Sequence, residues 1–372
     1  MSRPPLSTDA ARDATGDATN YIFFNDHDAL VLSGGGARGA YQVGVLKAIA
    51  EWLPADAPCP FEVIVGTSAG ALNAAAIGAR AHSLREAVES LEEVWSNFRV
   101  EQVMQASSLT MLRSGLHWMV SLLSAGWIAK PPRSLFDTTP LHRLLARVVP
   151  LERIPAQIAA GRLRALAVAT TSYTTGQAVA FFDGKDDIGD WHRVRRAGHR
   201  RRIDLDVLMA SAAIPFIFPA SSIDGSHYGD GAMRQLAPLS PAVHLGANRV
   251  LVIGTRGNAA ATPPTGAVTQ APPSPAHLLG FVLDSLFTDG LSIDLERLNQ
   301  INRLIVAAGH TEHRPIRATV IQPSVDPTVI AMKHERRMPR SIRTLLRTMG
   351  AYEARGGLLV SYLLFDKSYT CE

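Results

Sequence analysis

The sequence predicts an α/β fold, a three-layer sandwich with a mainly parallel central sheet and a helical C-terminal extension. Two apolar segments, residues 28–33 and 61–65, have the composition of buried strands, and each runs into a glycine-containing turn and then a helix-forming segment. Consecutive strand–helix units pair in parallel through right-handed crossovers. A third apolar segment, residues 249–254, predicts a further buried parallel strand.

Composition and charge narrow the class of protein. The chain has 372 residues, 47% hydrophobic and 19% charged, which is typical of a globular chain with a sizeable core. The net charge is +4, and no nucleic-acid recognition motif accompanies the basic clusters, so we expect no nucleic-acid partner. Two distant cysteines, Cys59 and Cys371, make neither a disulfide framework nor a metal site, and they favour a reducing, cytoplasmic location.

The chain divides into four predicted parts. Residues 1–26 are a polar, disordered tail with no apolar core of a secretory signal, and no segment reaches about 18 uninterrupted apolar residues. Residues 27–256 form the main domain. A flexible connection rich in Pro, Ala and Thr, residues 257–276, leads to a mainly helical extension, residues 277–372, with one strand at 316–321. In the first helix, periodicity places on one apolar face Tyr41, Val45, Ala48, Ile49 and Trp52.

Two segments leave alternatives open. Residues 99–133 carry many Met, Leu and Trp with few charges, which fits either core helices or a lid or membrane-contact insertion. Residues 191–202 carry six arginines and two histidines. They are either a solvated loop or a surface that contacts anionic headgroups at a membrane.

The central motif is Gly-x-Ser-x-Gly at residues 66–70. A β-branched run ends in Gly66, and a helix-forming segment follows Gly70, which is the strand–turn–helix context of a nucleophile elbow. Small flanking residues are needed there because a tight turn strains the serine backbone. Ser68 is therefore a candidate nucleophile at a helix N-terminus, and the alternative is a helix-capping serine in an ordinary turn.

A second glycine motif follows the first predicted strand. Gly34, Gly36 and Gly39 fit G-x-G-x-x-G and are compatible with a dinucleotide-binding loop or with backbone donors of an oxyanion hole. The dinucleotide interpretation expects an acidic residue at the end of the second strand, where this chain has Gly-Thr-Ser, so the oxyanion hole is favoured. Arg38 adds a cation that suits stabilisation of the loop or contact with a phosphate-bearing substrate.

The third motif is Asp230-Gly231-Ala232, which alone would be an ordinary turn aspartate. With the two glycine motifs in this order, the chain from about residue 29 to 254 resembles the patatin-like phospholipase family. The resemblance implies that Ser68 is the nucleophile and Asp230 its base in a serine–aspartate dyad. It also implies an oxyanion hole in the loop of Gly34, Gly35, Gly36, Arg38 and Gly39, with the N–H groups of Gly35, Gly36 and Arg38 as donors.

These residues lead to one functional expectation and its rivals. We expect a lipid acyl hydrolase of the phospholipase A or lysophospholipase type, acting on a phospholipid or other acyl-ester lipid at a membrane surface, without metal or cofactor. A Ser–His–Asp triad is the rival mechanism, with His227 the nearest candidate, although α/β-hydrolases use the order Ser, Asp/Glu, His. A non-catalytic membrane-binding effector and a dinucleotide-binding protein are the rival functions.

Overall fold

The computed structural model describes residues 27–105, 134–257, 272–308, 314–353 and 357–372, together with Ser124 and Trp127. In this part of the chain the strands are β1 (Asp28–Leu32), β2 (Val63–Thr67), β3 (Ala165–Ser172), β4 (Ala178–Gly184), β5 (Trp191–Arg193), β6 (Arg196–Arg200), β7 (Ser221–Ile223), β8 (Ser226–Asp230), β9 (Arg249–Ile253) and β10 (Arg317–Ile321). The α-helices are α1 (Ala40–Trp52), α2 (Ala69–Ala79), α3 (Leu84–Ser96), α4 (Thr139–Val148), α5 (Ile154–Ala159), α6 (Leu205–Ser211), α7 (Ser240–His244), α8 (Pro275–Ala308), α9 (Pro327–Lys333), α10 (Arg340–Thr348), α11 (Gly357–Leu363) and α12 (Lys367–Thr370).

The strands form one mixed sheet in the order β10-β9-β1-β2-β3-β4-β6-β5, with β8 paired to β3 and β7 paired to β8. The five strands from β10 to β3 are parallel, while β4 and β8 run antiparallel to β3. The predicted α/β fold with a mainly parallel sheet is confirmed. The strand of the C-terminal extension, β10, pairs with β9 and so continues the same sheet.

Helices cover both faces of the sheet because the parallel strands are apolar on both sides. Leu30 and Leu32 of β1 face one core, which α1, α2 and α3 cover. Ala29 and Val31 face the other core, which α7 and the C-terminal half of α8 cover. The long helix α8 contributes to both cores, with Phe287 in the first and Leu291 in the second. The three layers are therefore helices, sheet and helices.

The position of β8 in the sheet brings its last residue close to the end of β2. On one side of β3, β2 ends with Thr67 opposite Ala169, and on the other side β4 pairs with β3 along nearly its whole length. Asp230 of β8 lies opposite Thr170. Because β4 already occupies the second side of Thr170, β8 takes the place along β3 that β2 vacates. The residue after Thr67 and the last residue of β8 therefore meet at one edge of the sheet.

Three local predictions are corrected. In α1 the face predicted from Tyr41, Val45, Ala48, Ile49 and Trp52 is wrong apart from Ile49, because the buried residues are Gln42, Val43, Leu46, Ile49 and Ala50. Gln42 donates from its side-chain amide to the carbonyls of Ser33 and Ile253, so a polar residue faces the strand ends. Residues 191–200 form the antiparallel hairpin β5–β6 rather than a loop, and Asp230 ends a strand rather than lying in a turn.

Several predictions concern residues outside the described part of the chain. These include the tail 1–26, most of the segment 99–133 and most of the connection 257–276. The division into domains stays a prediction, and α8 begins at Pro275, just inside the predicted connection. Among the described helices, none combines the length and the hydropathy that crossing a bilayer requires.

Candidate active site

Ser68 stands between β2 and α2 in a strained backbone conformation. Its φ of 55° and ψ of −128° lie in a region that residues with a side chain rarely adopt. The side chain is buried, with 2% of its surface exposed. Ser68 also precedes the first turn of α2, whose free N–H groups and dipole favour negative charge. The strand–turn–helix geometry predicted for an elbow is present.

The glycines of the elbow are required by close backbone approaches. A Cβ on Gly66 would lie 2.5 Å from the carbonyl oxygen of Gly70 and 2.7 Å from the N atom of Ala71. A Cβ on Gly70 would lie 2.6 Å from the carbonyl oxygen of Ser33, at the end of β1. Real Cβ atoms do not approach this closely, so the tight turn and its packing against β1 depend on both glycines.

Asp230 is brought to Ser68 by the register of β8. Its N–H donates to the carbonyl of Ala213 (3.0 Å), and its own carbonyl accepts from the Thr171 hydroxyl (2.8 Å). The carboxylate Oδ1 accepts a hydrogen bond from the N–H of Ala232 (2.9 Å), at the start of a short 3₁₀ turn, Gly231–Met233. A Cβ on Gly231 would collide with the backbone of Ala169 in β3, so the glycine of the Asp-Gly-Ala motif lets this turn pack against the strand.

The carboxyl of Asp230 is buried and has a raised pKa. It is 1% exposed, and burial raises its pKa to about 7, while interactions with the Ser68 hydroxyl and the Ala232 N–H lower the pKa only in part. Its Oδ2 atom is buried without a hydrogen-bond partner among the described residues. The Ser68 hydroxyl thus approaches the carboxyl without completing a hydrogen bond. An oxygen in this position can accept a proton near neutral pH.

The glycine loop lies on the other side of Ser68. A Cβ on Gly34 would be 3.2 Å from the Cβ of Ser68, so the loop contacts the elbow directly. Residues Gly36–Gly39 form a 3₁₀ turn, and within it the Arg38 N–H donates to the carbonyl of Gly35 (3.1 Å). Among the described residues, no acceptor receives the N–H groups of Gly35 and Gly36. These two donors remain available to an anion, whereas the Arg38 N–H is bonded to the Gly35 carbonyl in this conformation, and its role as an oxyanion donor stays a prediction.

The Arg38 side chain is buried among residues of the C-terminal extension. It is 3% exposed, and it donates to the Ser361 hydroxyl from Nε (2.9 Å) and Nη2 (2.6 Å). Nη1 donates to the Tyr362 hydroxyl (3.2 Å) and to Asp284 (3.4 Å), and the guanidinium lies 4.0 Å from the Tyr362 ring centroid. Of the two roles predicted for this cation, the contacts match stabilisation of the loop. They tie the loop to α8 and α11 of the C-terminal extension.

Ser211 is a residue that sequence reasoning did not single out for a role. Its hydroxyl, fully buried at the end of α6, accepts the N–H of Ser68 (2.9 Å) and donates to the carbonyl of Ala169 (2.7 Å). One side chain thus links the elbow to β3. The only sequence signal was its place in a run of small residues, Ser211-Ala212-Ala213, which lies far from both glycine motifs.

Histidines are placed elsewhere in the described part of the chain. His227 lies on β8 three residues before Asp230, but strand alternation turns its exposed side chain to the opposite face. No described histidine forms a hydrogen bond with Ser68 or Asp230, and His117, His310 and His313 lie outside the described residues. The described residues contain no group of three or more His, Cys, Asp or Glu placed to hold a metal ion.

A small apolar cavity of about 40 Å³ adjoins Ser68. Its walls include Trp95, Phe98, Ile214 and Phe365, and the rings of Trp95 and Phe98 lie 5.0 Å apart. The volume is little more than the share of one water molecule in the liquid. Next to a nucleophile, such walls favour hydrocarbon over a charged group.

Comparison with known proteins places the chain in one family. The family model described as Patatin-like phospholipase matches residues 30–243, more than half of the chain. A curated protein of Pseudomonas aeruginosa named cGAMP-activated phospholipase is 26% identical over 214 residues, which cover 57% of this chain and 54% of that protein. The match thus spans about half the length of this relative.

Two solved structures are similar at a lower level. VipD from Legionella pneumophila shares 14% identity with a TM-score of 0.33, and the match covers 93% of this chain and 67% of that one. A structure of full-length SpcU in complex with full-length ExoU, from the type III secretion system of Pseudomonas aeruginosa, shares 14% identity with a TM-score of 0.28, covering 90% and 76%. Similarity at this level carries no further argument.

Proposed function

Because the chain belongs to the patatin-like phospholipase family, we propose that it is a lipid acyl hydrolase of the phospholipase A or lysophospholipase type. In this proposal Ser68 is the nucleophile and Asp230 its base. The observation that carries it is the meeting of a strained, buried serine with a buried carboxyl whose pKa is about 7, at one edge of the sheet. Such a pair has the geometry and the basicity that nucleophilic catalysis needs.

The first half of the proposed reaction is acylation of Ser68. Ser68 Oγ attacks the ester carbonyl carbon while its proton moves to Oδ2 of Asp230, which has no other partner among the described residues. The N–H groups of Gly35 and Gly36 and the N-terminus of α2 then stabilise the oxyanion, at about 3 kcal/mol per donor. Asp230 returns the proton to the leaving alcohol oxygen as the carbon–oxygen bond breaks. The acyl group remains on Ser68.

The second half removes the acyl group with water. Asp230, ionised again, takes a proton from a water molecule as that water attacks the acyl carbon. The oxyanion is held as before, and it collapses with release of the fatty acid. The proton on Asp230 passes to Ser68 Oγ, which restores the starting state. No metal takes part in these steps, so a chelator is expected to leave turnover unchanged.

The surroundings of Ser68 favour an acyl chain as the bound group. Aromatic and aliphatic side chains form the cavity wall, and none of the described residues lining it carries a charge. Phospholipids and other acyl-ester lipids place hydrocarbon next to the reacting carbonyl, which matches such a wall. We include peripheral contact with a membrane in the proposal, because these substrates reside in bilayers.

Mass spectrometry of products from mixed lipid vesicles tests the proposal. The wild-type protein should release fatty acids together with a lysolipid or its deacylated form, and Ser68→Ala and Asp230→Asn should release none above background. His227→Ala is the matched control and should retain most of the turnover. A folded His227→Ala protein without activity would support the triad instead and would contradict the dyad.

The product assay, a fluorophosphonate label and an unfolding measurement together separate the rival functions. A non-catalytic effector would release no product and would leave Ser68 unlabelled by a fluorophosphonate probe. A dinucleotide-binding protein would be protected against unfolding by a nicotinamide cofactor. Because the curated relative is named for activation by cGAMP, the assay is run with and without cGAMP, and products seen only in its presence would still support acyl hydrolysis.

A further inference from the structure

A second concave surface lies apart from Ser68, between the β5–β6 hairpin, the segment after the Asp-Gly-Ala motif, and α8. We call it the basic groove. Its volume is about 770 Å³, far larger than the cavity beside Ser68, and it is open to solvent. Five arginines line it: Arg195, Arg196, Arg234, Arg297 and Arg314. Nothing in the proposed reaction uses this surface.

The positive charge of the basic groove is largely uncompensated. Among the described residues, none of these five arginines forms an ion pair with a carboxylate. The acid of the lining is Asp294, whose carboxylate accepts the N–H of Leu239 (2.9 Å) and interacts electrostatically with Arg196 and Arg297, so one carboxylate faces five arginines. His244 also lines the groove, and burial and the nearby Arg193 and Arg196 lower its pKa. The groove therefore attracts anions.

Apolar side chains stand exposed beside these arginines. Val194, at the tip of the hairpin, is 89% exposed, and Leu236 is 62% exposed. Both line the groove, and Ile301 of α8 adds a further half-exposed aliphatic side chain. Exposed aliphatic groups among arginines are unfavourable in water and on a nucleic-acid backbone, whereas the interfacial region of a bilayer accommodates both.

One end of the basic groove lies at the same edge of the sheet as the proposed dyad, whereas Arg314 and Ile316, just before β10, lie at the opposite edge. Arg196 begins β6 opposite Ala178, which in turn lies opposite Thr171 near the end of β3. Asp230 pairs with the neighbouring Thr170. Three strand spacings, about 14 Å, therefore separate the start of β6 from Asp230. Arg234 follows Asp230 by four residues. A surface that meets the groove at Arg196 and Arg234 therefore lies beside the edge of the sheet that carries the proposed dyad.

We infer that the basic groove docks this protein on a bilayer that contains anionic phospholipids. The arginines contact headgroup phosphates and carboxylates, and Val194 and Leu236 enter the interfacial region. The inference does not depend on the Ser68–Asp230 dyad, since an inactive protein would dock equally well. Each basic residue at an anionic surface strengthens binding about fivefold, so three arginines account for about 100-fold.

The test is vesicle co-flotation of the full chain carrying Ser68→Ala, so that lipid is not consumed. Vesicles are phosphatidylcholine alone or with about one third phosphatidylserine, a fraction that gives an anionic surface. The protein should float with the anionic vesicles only. Arg195→Gln, Arg234→Gln and Arg297→Gln together should weaken this binding about 100-fold. The matched control, Arg336→Gln, Arg337→Gln and Arg340→Gln, removes the same charge from exposed positions outside the groove and should retain binding within about threefold.

Three outcomes of the vesicle experiment would overturn the inference. These are no binding of the parent protein to anionic vesicles, equal binding by the groove variant, or an equal loss in the control variant. Tighter binding to a single-stranded oligonucleotide than to the vesicles would also overturn it. Turnover of a water-soluble nitrophenyl ester, measured with Ser68 intact, keeps the two proposals separate. Groove variants should retain that turnover, whereas failure of the proposed function would abolish it in every protein.

Discussion

The elbow at Ser68 and the glycine loop at Gly34–Gly39 lie side by side, but different parts of the chain hold them. The elbow is held mostly by its neighbours, since Gly66 and Gly70 pack on Ala71 and on the end of β1. The glycine loop is held by residues more than 200 positions later. Thr255 donates to the Gly34 carbonyl (2.6 Å), and Ser361 and Tyr362 bind Arg38.

The two regions also differ in how fully their buried ionisable group is hydrogen-bonded. Arg38 is buried with hydrogen bonds from its guanidinium to several side chains, so its charge is satisfied by the fold. Asp230 is buried with Oδ2 unpartnered among the described residues, and its pKa is raised to about 7. The comparison suggests that the loop is stabilised by its charge, whereas the proposed base is kept at a cost to stability.

The largest effect on stability is expected from Arg38→Met. This substitution removes the cation from a buried polar cluster, and we expect a loss of about 3–5 kcal/mol in the free energy of unfolding. Ester turnover should fall with it, because Gly35 and Gly36 lose their anchor. Urea unfolding and turnover of a soluble ester measure the two effects.

Arg80→Met is the control for Arg38→Met. Arg80 is also mostly buried, but it forms a loose ion pair with the exposed Glu86, at 3.8 Å, and one hydrogen bond to the Val148 carbonyl (3.1 Å). Its loss should therefore cost about 1 kcal/mol. An Arg38→Met protein as stable and active as the wild type would show that the C-terminal extension does not hold the loop.

The next effect depends on pH and concerns Asp230. Its pKa is raised in the folded protein, so the folded state keeps a proton that the unfolded state loses between about pH 4 and pH 7. The free energy of unfolding therefore falls as pH rises through this window. Asp230→Asn cannot ionise at this position. Its free energy of unfolding, relative to that of the wild type, should therefore rise by about 4 kcal/mol between pH 3 and pH 8.

Unfolding of the two proteins across this pH range checks the linkage. Other groups titrate equally in wild type and variant, so they cancel from the difference. A stability difference that is independent of pH would mean that Asp230 has an ordinary pKa in the folded protein. The variant should be the more stable and the inactive one at pH 8.

A glycine comparison separates backbone strain from contact with the C-terminal extension. Gly36 has a φ of +55°, and a Cβ there would collide with the Tyr362 carbonyl. Gly161 has a φ of +71° and open space around it. Gly161→Ala should cost about 1 kcal/mol of unfolding free energy, and Gly36→Ala about 2–3 kcal/mol with loss of turnover. Equal costs in urea unfolding would show that Tyr362 does not confine the loop.

The smallest effects are expected from deleting one hydroxyl that supports the glycine loop and one that supports the elbow. Tyr362→Phe keeps the ring that stacks on Phe287 and loses the bonds with Asp284 and Arg38, which should cost about 1 kcal/mol. Ser211→Ala leaves the buried N–H of Ser68 unsatisfied and should cost about 1–2 kcal/mol. Turnover should fall more in Ser211→Ala, because Ser68 itself moves. A larger fall in Tyr362→Phe would reverse the comparison.

The elbow could be predicted from sequence because its determinants are local. A β-branched strand, two glycines and a helix-forming run lie within about fifteen residues, and each has a direct conformational reason. The parallel sheet followed from the same short-range pattern. The loop sequence predicted exposed N–H groups, since a glycine turn before a helix leaves them without partners, and the family resemblance assigned them to Gly35 and Gly36.

What the sequence did not predict depends on distant contacts. The partners of Arg38 are Ser361, Tyr362 and Asp284, and no local pattern connects them to the loop. Gln42 faces the core for a similar reason, since the strand-end carbonyls it satisfies come from Ser33 and Ile253. Placement of Asp230 beside Ser68 depends on the register of β8 on β3, which the Asp-Gly-Ala motif alone does not specify.

The central claim is that Asp230, without a histidine, activates Ser68. The most direct measurement is the rate at which a fluorophosphonate labels Ser68, with the modified residue located by peptide mass spectrometry. The wild-type rate should rise with pH to a plateau above about 7, His227→Ala should follow the same curve, and Asp230→Asn should be slower by about 100-fold or more. Labelling of Asp230→Asn at the wild-type rate, or loss of labelling in a folded His227→Ala protein, would contradict the account.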